Sequence, residues 1–188
     1  MTEKENGKEV IMLRKILNVV ARGREINLSD KFYIKSNTDS KGIIRSVNPY
    51  FIEVSGYTKE DLVGANHNII RHNDMPKAVF RLMWRRLKEG QSIRALVKNR
   101  TKDENFYWVI TKFSIFSRGT AGENYSAFRE KPTRKTIKLI SEIYKEMLTI
   151  EKASPGEKGI IASETHLNEK IKSSGFSSYD DFINSVCA

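Results

Sequence analysis

Apolar residues recur along this chain with two periods, helical and strand-like, and the switches between them mark its elements. Over 10–20, Leu13, Ile16, Leu17 and Val20 share one side of a 3.6-residue helix, with Gly23 near its end. A strand is predicted over 32–37, followed by the turn cluster Thr38-Asp39-Ser40-Lys41-Gly42 and a second strand over 43–47, so the pair reads as a hairpin. Asn48-Pro49 supplies an N-cap and a first-turn proline for a short helix carrying Phe51, Val54 and Ser55 and ending at Gly56. Thr58-Lys59-Glu60-Asp61 follows the capping-box pattern, with Asp where Glu or Gln is usual, and predicts another short helix that stops at Gly64.

The stretch 66–74 is polar and aperiodic. Pro76 then opens a helix through Lys88 whose apolar face holds Val79, Phe80, Met83, Trp84 and Leu87, with Lys77, Arg81, Arg85 and Lys88 elsewhere. Strands are predicted over 92–99, 106–116 and 124–130, the first two joined by a turn at 102–105. The order is β-β-α-α-α-β-β-β, and its hairpins imply an antiparallel sheet. Beyond Pro132, Ile137, Ile140, Ile143, Tyr144, Met147 and Leu148 form a helical stripe. Ser154-Pro155-Gly156 breaks it, and short helices are expected over 163–173 and 179–186. The expected fold class is α+β: an N-terminal amphipathic helix within 1–30, a five-stranded antiparallel sheet with inserted short helices over 31–131, and a helical extension over 132–188.

Composition narrows the setting. With 39% hydrophobic and 10% aromatic residues, the 188-residue chain can build a packed core. Its single cysteine, Cys187, forms no internal disulfide, which points to a reducing cytoplasm. No apolar run approaches the ~20 residues that cross a bilayer, and residues 1–10 are polar and mixed in charge, unlike a signal peptide. No direct membrane insertion is therefore expected. The net charge of +10 comes from basic residues spread along the chain. Without aromatic-basic interleaving, a solvated basic surface is expected rather than a nucleic-acid interface.

No nucleophile motif, phosphate loop or paired-carboxylate motif stands out, so binding or sensing is expected rather than enzymatic catalysis. Asn99 shares a strand face with Ile93, Ala95 and Val97. It either faces water at the strand end or is buried and needs a partner. Arg71 can neutralise phosphates, and His72 and Asp74 can orient a ribose or adenine. The competing structural roles are a surface ion pair for Arg71 and a helix cap for Asp74. His67, His72 and Asp74 fit no standard zinc spacing. Trp84 and Trp108 are expected in the core.

The string from Thr38 to Trp84, with HNIIRHNDMP at its centre, resembles the PAS domains of bacterial aerotaxis and energy-taxis receptors, whose pattern is HN, two hydrophobic residues, then RHPDMP. LVKNRTKDENFYWV resembles the same family's VKNR…YWV segment. The resemblance implies FAD held between the sheet and the inserted helices, and a flavin redox state passed to a chemoreceptor-like transducer. A stand-alone form would signal in trans, with dimerisation through the flanking helices a further possibility. It assigns Asn48, His67, Arg71, His72, Asp74, Trp84 and Asn99 to positions linked with flavin binding or signalling. The chain departs from the pattern at Asn73, where the family has Pro. It also departs at Ile93, Ala95 and Phe113, where the family favours Trp, Gly and a small residue. By strand parity the last three should face the cleft and tighten it. The alternatives are a cofactor-free interaction module with Phe113 filling the cleft, or a domain binding haem through His67 or His72, or another small ligand.

Overall fold

The computed structural model describes residues 23–119 and 122–187. The helix expected over 10–20 lies outside them. A five-stranded antiparallel sheet is built from β1 (Ile34–Asp39), β2 (Ile44–Val47), β3 (Ile93–Arg100), β4 (Phe106–Gly119) and β5 (Gly122–Glu130), in the order β2-β1-β5-β4-β3. Between β2 and β3 lie α1 (Pro49–Ser55), α2 (Lys59–Leu62), a 3-10 turn at His67–Ile70 and α3 (Lys77–Lys88). The α+β architecture expected from the sequence is the one observed.

Local chemistry explains the inserted segment. Asn48 Oδ1 accepts from Phe51 N at 3.2 Å and from Lys35 N at 2.9 Å, so one side chain caps α1 and ties it to β1. Gly56 ends α1 with φ +71°, a backbone that side-chain-bearing residues rarely adopt. The capping box of α2 is complete: Asp61 N donates to Thr58 Oγ1 and Thr58 N to Asp61 Oδ2, each at 3.1 Å. Asp therefore substitutes for the longer Glu without losing either bond. The stretch read as aperiodic contains the 3-10 turn, which buries Ile70.

The C-terminal extension forms α4 (Arg134–Ala153), α5 (Glu157–Ser173) and α6 (Tyr179–Val186). Helix α5 begins six residues before the helix expected at 163, because Gly156 takes φ +90° and lets the chain turn straight into it. Helix α4 packs on the outer face of the sheet, where Tyr144 donates its hydroxyl to the Leu96 carbonyl at 3.0 Å. From α6, Tyr179 donates to the Arg94 carbonyl at 2.9 Å. Strand β3 is thereby covered on both faces, and Ala95, Leu96 and Val97 are buried in succession.

Helix α3 is gripped from two sides. Ala78, Val79, Leu82, Met83 and Leu87 are buried, whereas Phe80 is half-buried, as is Trp84, which was expected in the core. On its other side Arg85 pairs with Glu164 of α5 at 2.6 Å, Arg81 with Glu157 at 2.9 Å, and Arg86 with Asp180 of α6 at 3.0 Å. Pro76 offers no side-chain cap. Nor does Asp74, which pairs with Lys98 at 2.6 Å. The free N–H groups of Lys77 and Ala78 donate instead to Glu151 of α4, at 2.9 and 3.0 Å. A carboxylate at a helix N-terminus also meets its positive dipole end. Glu151→Ala should lower unfolding free energy by about 1 kcal/mol, and Glu151→Gln by less, in urea titrations followed by circular dichroism. Equal loss in both variants would show that the charge, not the capping bonds, matters.

Candidate functional site

A half-open cavity of about 400 Å³ lies between the inner face of the sheet, the 3-10 turn and α3. That is within the ~300–1,000 Å³ of small-ligand sites. Strand alternation supplies Val97 and Asn99 from β3, Phe113 from β4, and Tyr125, Ala127 and Arg129 from β5. Phe80, Met83, Trp84 and Leu87 form the α3 wall, and Trp84 meets Tyr125 edge-on, with centroids 5.6 Å apart. The hairpin turn closes one rim. Gly42 holds φ +76° there, beside the indole of Trp84.

The most buried charge on this wall is Arg129, which is 2% exposed. Its Nη1 donates to Ser36 Oγ and to the Ala127 carbonyl, both at 3.1 Å, and its Nη2 donates to His67 Nε2 at 2.8 Å. The guanidinium also stands 5.5 Å from the centre of the Phe51 ring. No carboxylate pairs with it among the described residues. Burial lowers its pKa to about 10, leaving it charged at neutral pH. His67 must present a lone pair to Arg129, so it is neutral with its proton on Nδ1. Burial, followed by the charge of Arg129, pushes its pKa down to about 3. With Nε2 so engaged, His67 is poorly placed to ligate iron through that atom. Among the described residues, no cluster of three or more His, Cys, Asp or Glu side chains could hold a metal.

Asn99 is 4% exposed and lines the cavity, and its Nδ2 has no hydrogen-bond partner. Directly across the ladder is Tyr107, fully buried, whose hydroxyl is also without a partner. Burial raises the phenol pKa to about 12, opposed in part by the charge of Arg129 and by the neighbouring Asn99 amide. Arg71 lies at the rim with its guanidinium stacked 4.4 Å over Phe80 and one bond to the Met75 carbonyl at 3.2 Å. Burial lowers its pKa.

Four of the seven residues singled out in the sequence, His67, Arg71, Trp84 and Asn99, line this one cavity. The other three lie elsewhere. Asn48 is committed to capping α1. His72 Nδ1 accepts from Asp74 N at 3.0 Å, and its ring stands edge-on to Phe106. Burial, then the charge of Lys98, lowers the pKa of His72. Asp74 points to Lys98; burial raises its pKa, but the Lys98 hydrogen bond and charge outweigh this and the net shift is downward. Phe113 reaches the cavity as parity required. Ile93 and Ala95 share the face but belong to the packed core rather than the cavity wall. Arg129 was missed in the sequence. A charged residue in register with Tyr125 and Ala127 on an otherwise core-facing row was the signal that could have found it.

The group that the resemblance implies, FAD, can be tested against these side chains. An unpartnered amide N–H at Asn99 suits a ring carbonyl, aromatic walls at Trp84 and Phe113 suit a planar ring, and Arg71, Lys41 and Lys88 at the edge suit phosphates. The residues present fit a flavin.

Residues 44–127 match the protein family described as PAS fold, and the sheet with its inserted helices is that fold. The chain is 34% identical over 142 residues to the aerotaxis receptor of Escherichia coli (strain K12). That match takes in 76% of this chain and 28% of the receptor, so the chain spans under a third of that relative's length. It is 28% identical over 74 residues to the nitrogen fixation regulatory protein of Klebsiella pneumoniae, covering 39% of this chain and 15% of that protein. In solved structures, the light state of the blue-light photoreceptor Aureochrome1 LOV shares the fold at a TM-score of 0.51 and 17% identity. It covers 58% of this chain and 88% of that one.

The Arg129–His67 bond sets a pH dependence. The folded pKa of His67, about 3, lies below its unfolded value near 6.5, so the unfolded chain binds the proton first. Its contribution to stability is complete above pH 6.5 and is lost as pH falls towards 3. Between pH 7.5 and 5.5 the wild type should lose about 1.4 kcal/mol that His67→Gln does not lose, measured by urea denaturation at both pH values. Parallel losses would mean that His67 ionises freely.

Proposed function

We propose that this chain is a cytoplasmic sensor that holds FAD in the cavity beneath α3 and reports the flavin's redox state to a separate chemoreceptor-like transducer. The observation carrying the reading is the buried Asn99 amide, which faces the cavity with Nδ2 unpartnered, inside a segment similar to an aerotaxis receptor. A buried donor left unmade costs about 1–3 kcal/mol, and a ring carbonyl would satisfy it.

Bound flavin supplies one reversible redox change with its accompanying proton and charge. The residues of the chain do the rest. Asn99 fixes the polar ring edge, Trp84 and Phe113 confine the ring plane, and Arg71 holds the phosphates at the rim. Arg129 keeps a positive charge in the wall, stabilising extra negative charge in the cavity in one redox state and not the other. Such a difference in interaction free energy is what shifts a conformational equilibrium. Helix α3, which meets both the cavity and the C-terminal helices, is suited to carry the shift.

Purified protein should show flavin absorption bands, either as isolated or after FAD is added and the excess removed by gel filtration. Asn99→Leu should reduce retained flavin about tenfold while leaving the melting temperature of the apoprotein unchanged or higher. A colourless protein that takes up no FAD would sink this reading. So would Asn99→Leu protein that retains flavin like the wild type.

A further inference from the structure

Charge around the cavity beneath α3 is one-sided. Its lining carries Lys41, Arg71, Lys88 and Arg129, and no Asp or Glu among the described residues. The acidic side chains closest in sequence are committed elsewhere. Asp39 pairs with Arg45 at 2.6 Å, and its other oxygen accepts from the backbone N–H groups of Lys41 and Ile43. Glu89 follows Lys88 just past the end of α3 and stays outside the lining. Lysines away from the cavity meet carboxylates: Lys98 meets Asp74, Lys102 meets Asp61 and Lys170 meets Glu146. The ammonium groups of Lys41 and Lys88 meet none among the described residues.

These two lysines converge on one end of the mouth. Gly42 sets its backbone against the Trp84 indole, so the hairpin turn presents Lys41 beside that ring. Asn66 Nδ2 donates to the Lys41 carbonyl at 3.4 Å and ties the turn to the inserted segment. Lys88 follows Trp84 by one turn on the same side of α3. Helical side chains lean towards the N-terminus, which carries Lys88 back over Trp84. Arg71 stands at the opposite end, stacked on Phe80, about 12 Å along α3 from Lys88. Volume decides what reaches the lysines. A cavity of about 400 Å³ is near the lower end of the ~300–1,000 Å³ of small-ligand sites. A ring held by Asn99, Trp84 and Phe113 takes up the interior, and the chain it carries leaves through the mouth. Any charge on that chain meets cations alone.

We propose that Lys41 and Lys88 form a phosphate clamp at the Trp84 end of the mouth, selecting phosphate-bearing flavins over uncharged riboflavin. The inference rests on the flavin reading and deepens it by naming what sets the ligand class. Neither lysine is among the seven residues that the family resemblance singles out. The clamp is read from the charge pattern of this chain. Each ammonium acts on phosphate as a compact charge with rotatable donors. Because the rim is open to solvent, its attraction is screened by salt.

The test titrates riboflavin, FMN and FAD into the full chain, stripped of any flavin it carries, and follows flavin fluorescence. At low salt FMN should bind about tenfold more tightly than riboflavin, as expected for two partly exposed charge pairs. That preference should shrink as salt rises. Lys41→Gln with Lys88→Gln should cut it to about threefold or less. The control, Lys158→Gln with Lys172→Gln on the exposed side of α5, makes the same change in net charge away from the cavity and should keep it. Equal binding of riboflavin and FMN by the wild type would overturn the clamp and leave the flavin reading standing. A preference retained in the Lys41–Lys88 variant, or lost equally in the control, would also overturn it. If that preference falls only with Arg71→Gln, the phosphate lies at the other end of the mouth. Failure of all three flavins to bind would sink the flavin reading and the clamp with it.

Discussion

A guanidinium buried in the middle of a sheet dictates how the centre of this protein is built. Removing Arg129 from water costs several kcal/mol unless its donors are met, and no carboxylate meets them among the described residues. Ser36 of β1, the Ala127 carbonyl of β5 and His67 of the inserted segment do so instead. Two strands and the 3-10 turn are thereby set to one another through a single side chain. His67 can serve only while neutral, and the same guanidinium helps to keep it neutral. The charge that organises the wall is also the charge a ligand in the cavity would meet.

Much of this was legible in the sequence because local rules and the global fold agree. Alternation on β3 identified the buried row ending at Asn99, and Asn48-Pro49 and Thr58-Asp61 announced their caps. What escaped was long-range. The cap of α3 comes from Glu151, more than seventy residues away, and no spacing rule links the two. Trp84 read as core because it shares a helix face with Val79 and Met83, but a face can border a cavity as well as a packed interior. The family resemblance grouped seven residues that the fold divides: four at the cavity and three at caps and ion pairs. Within the RHNDMP string Arg71 lines the cavity, whereas His72 packs on Phe106 and Asp74 pairs with Lys98, so proximity in sequence did not mean one site.

The departures at Ile93, Ala95 and Phe113 acquire separate meanings. Phe113 stands in the cavity wall and shapes what can enter. Ile93 and Ala95 are absorbed by core packing beside it, where volume is settled against neighbouring side chains. A cavity of about 400 Å³ persists with Phe113 in place, so the phenyl ring narrows the site without filling it.

Because Glu151 caps a helix that borders the cavity, the boundary near residue 132 divides the sequence but not the folded object. A fragment cut there would leave the first N–H groups of α3 bare and uncover the strand surface at Leu96 and Trp108, which faces α4. The extension is thus a structural part of the folded unit, and an excised 31–131 piece would be a sticky, weakened fragment rather than a minimal domain.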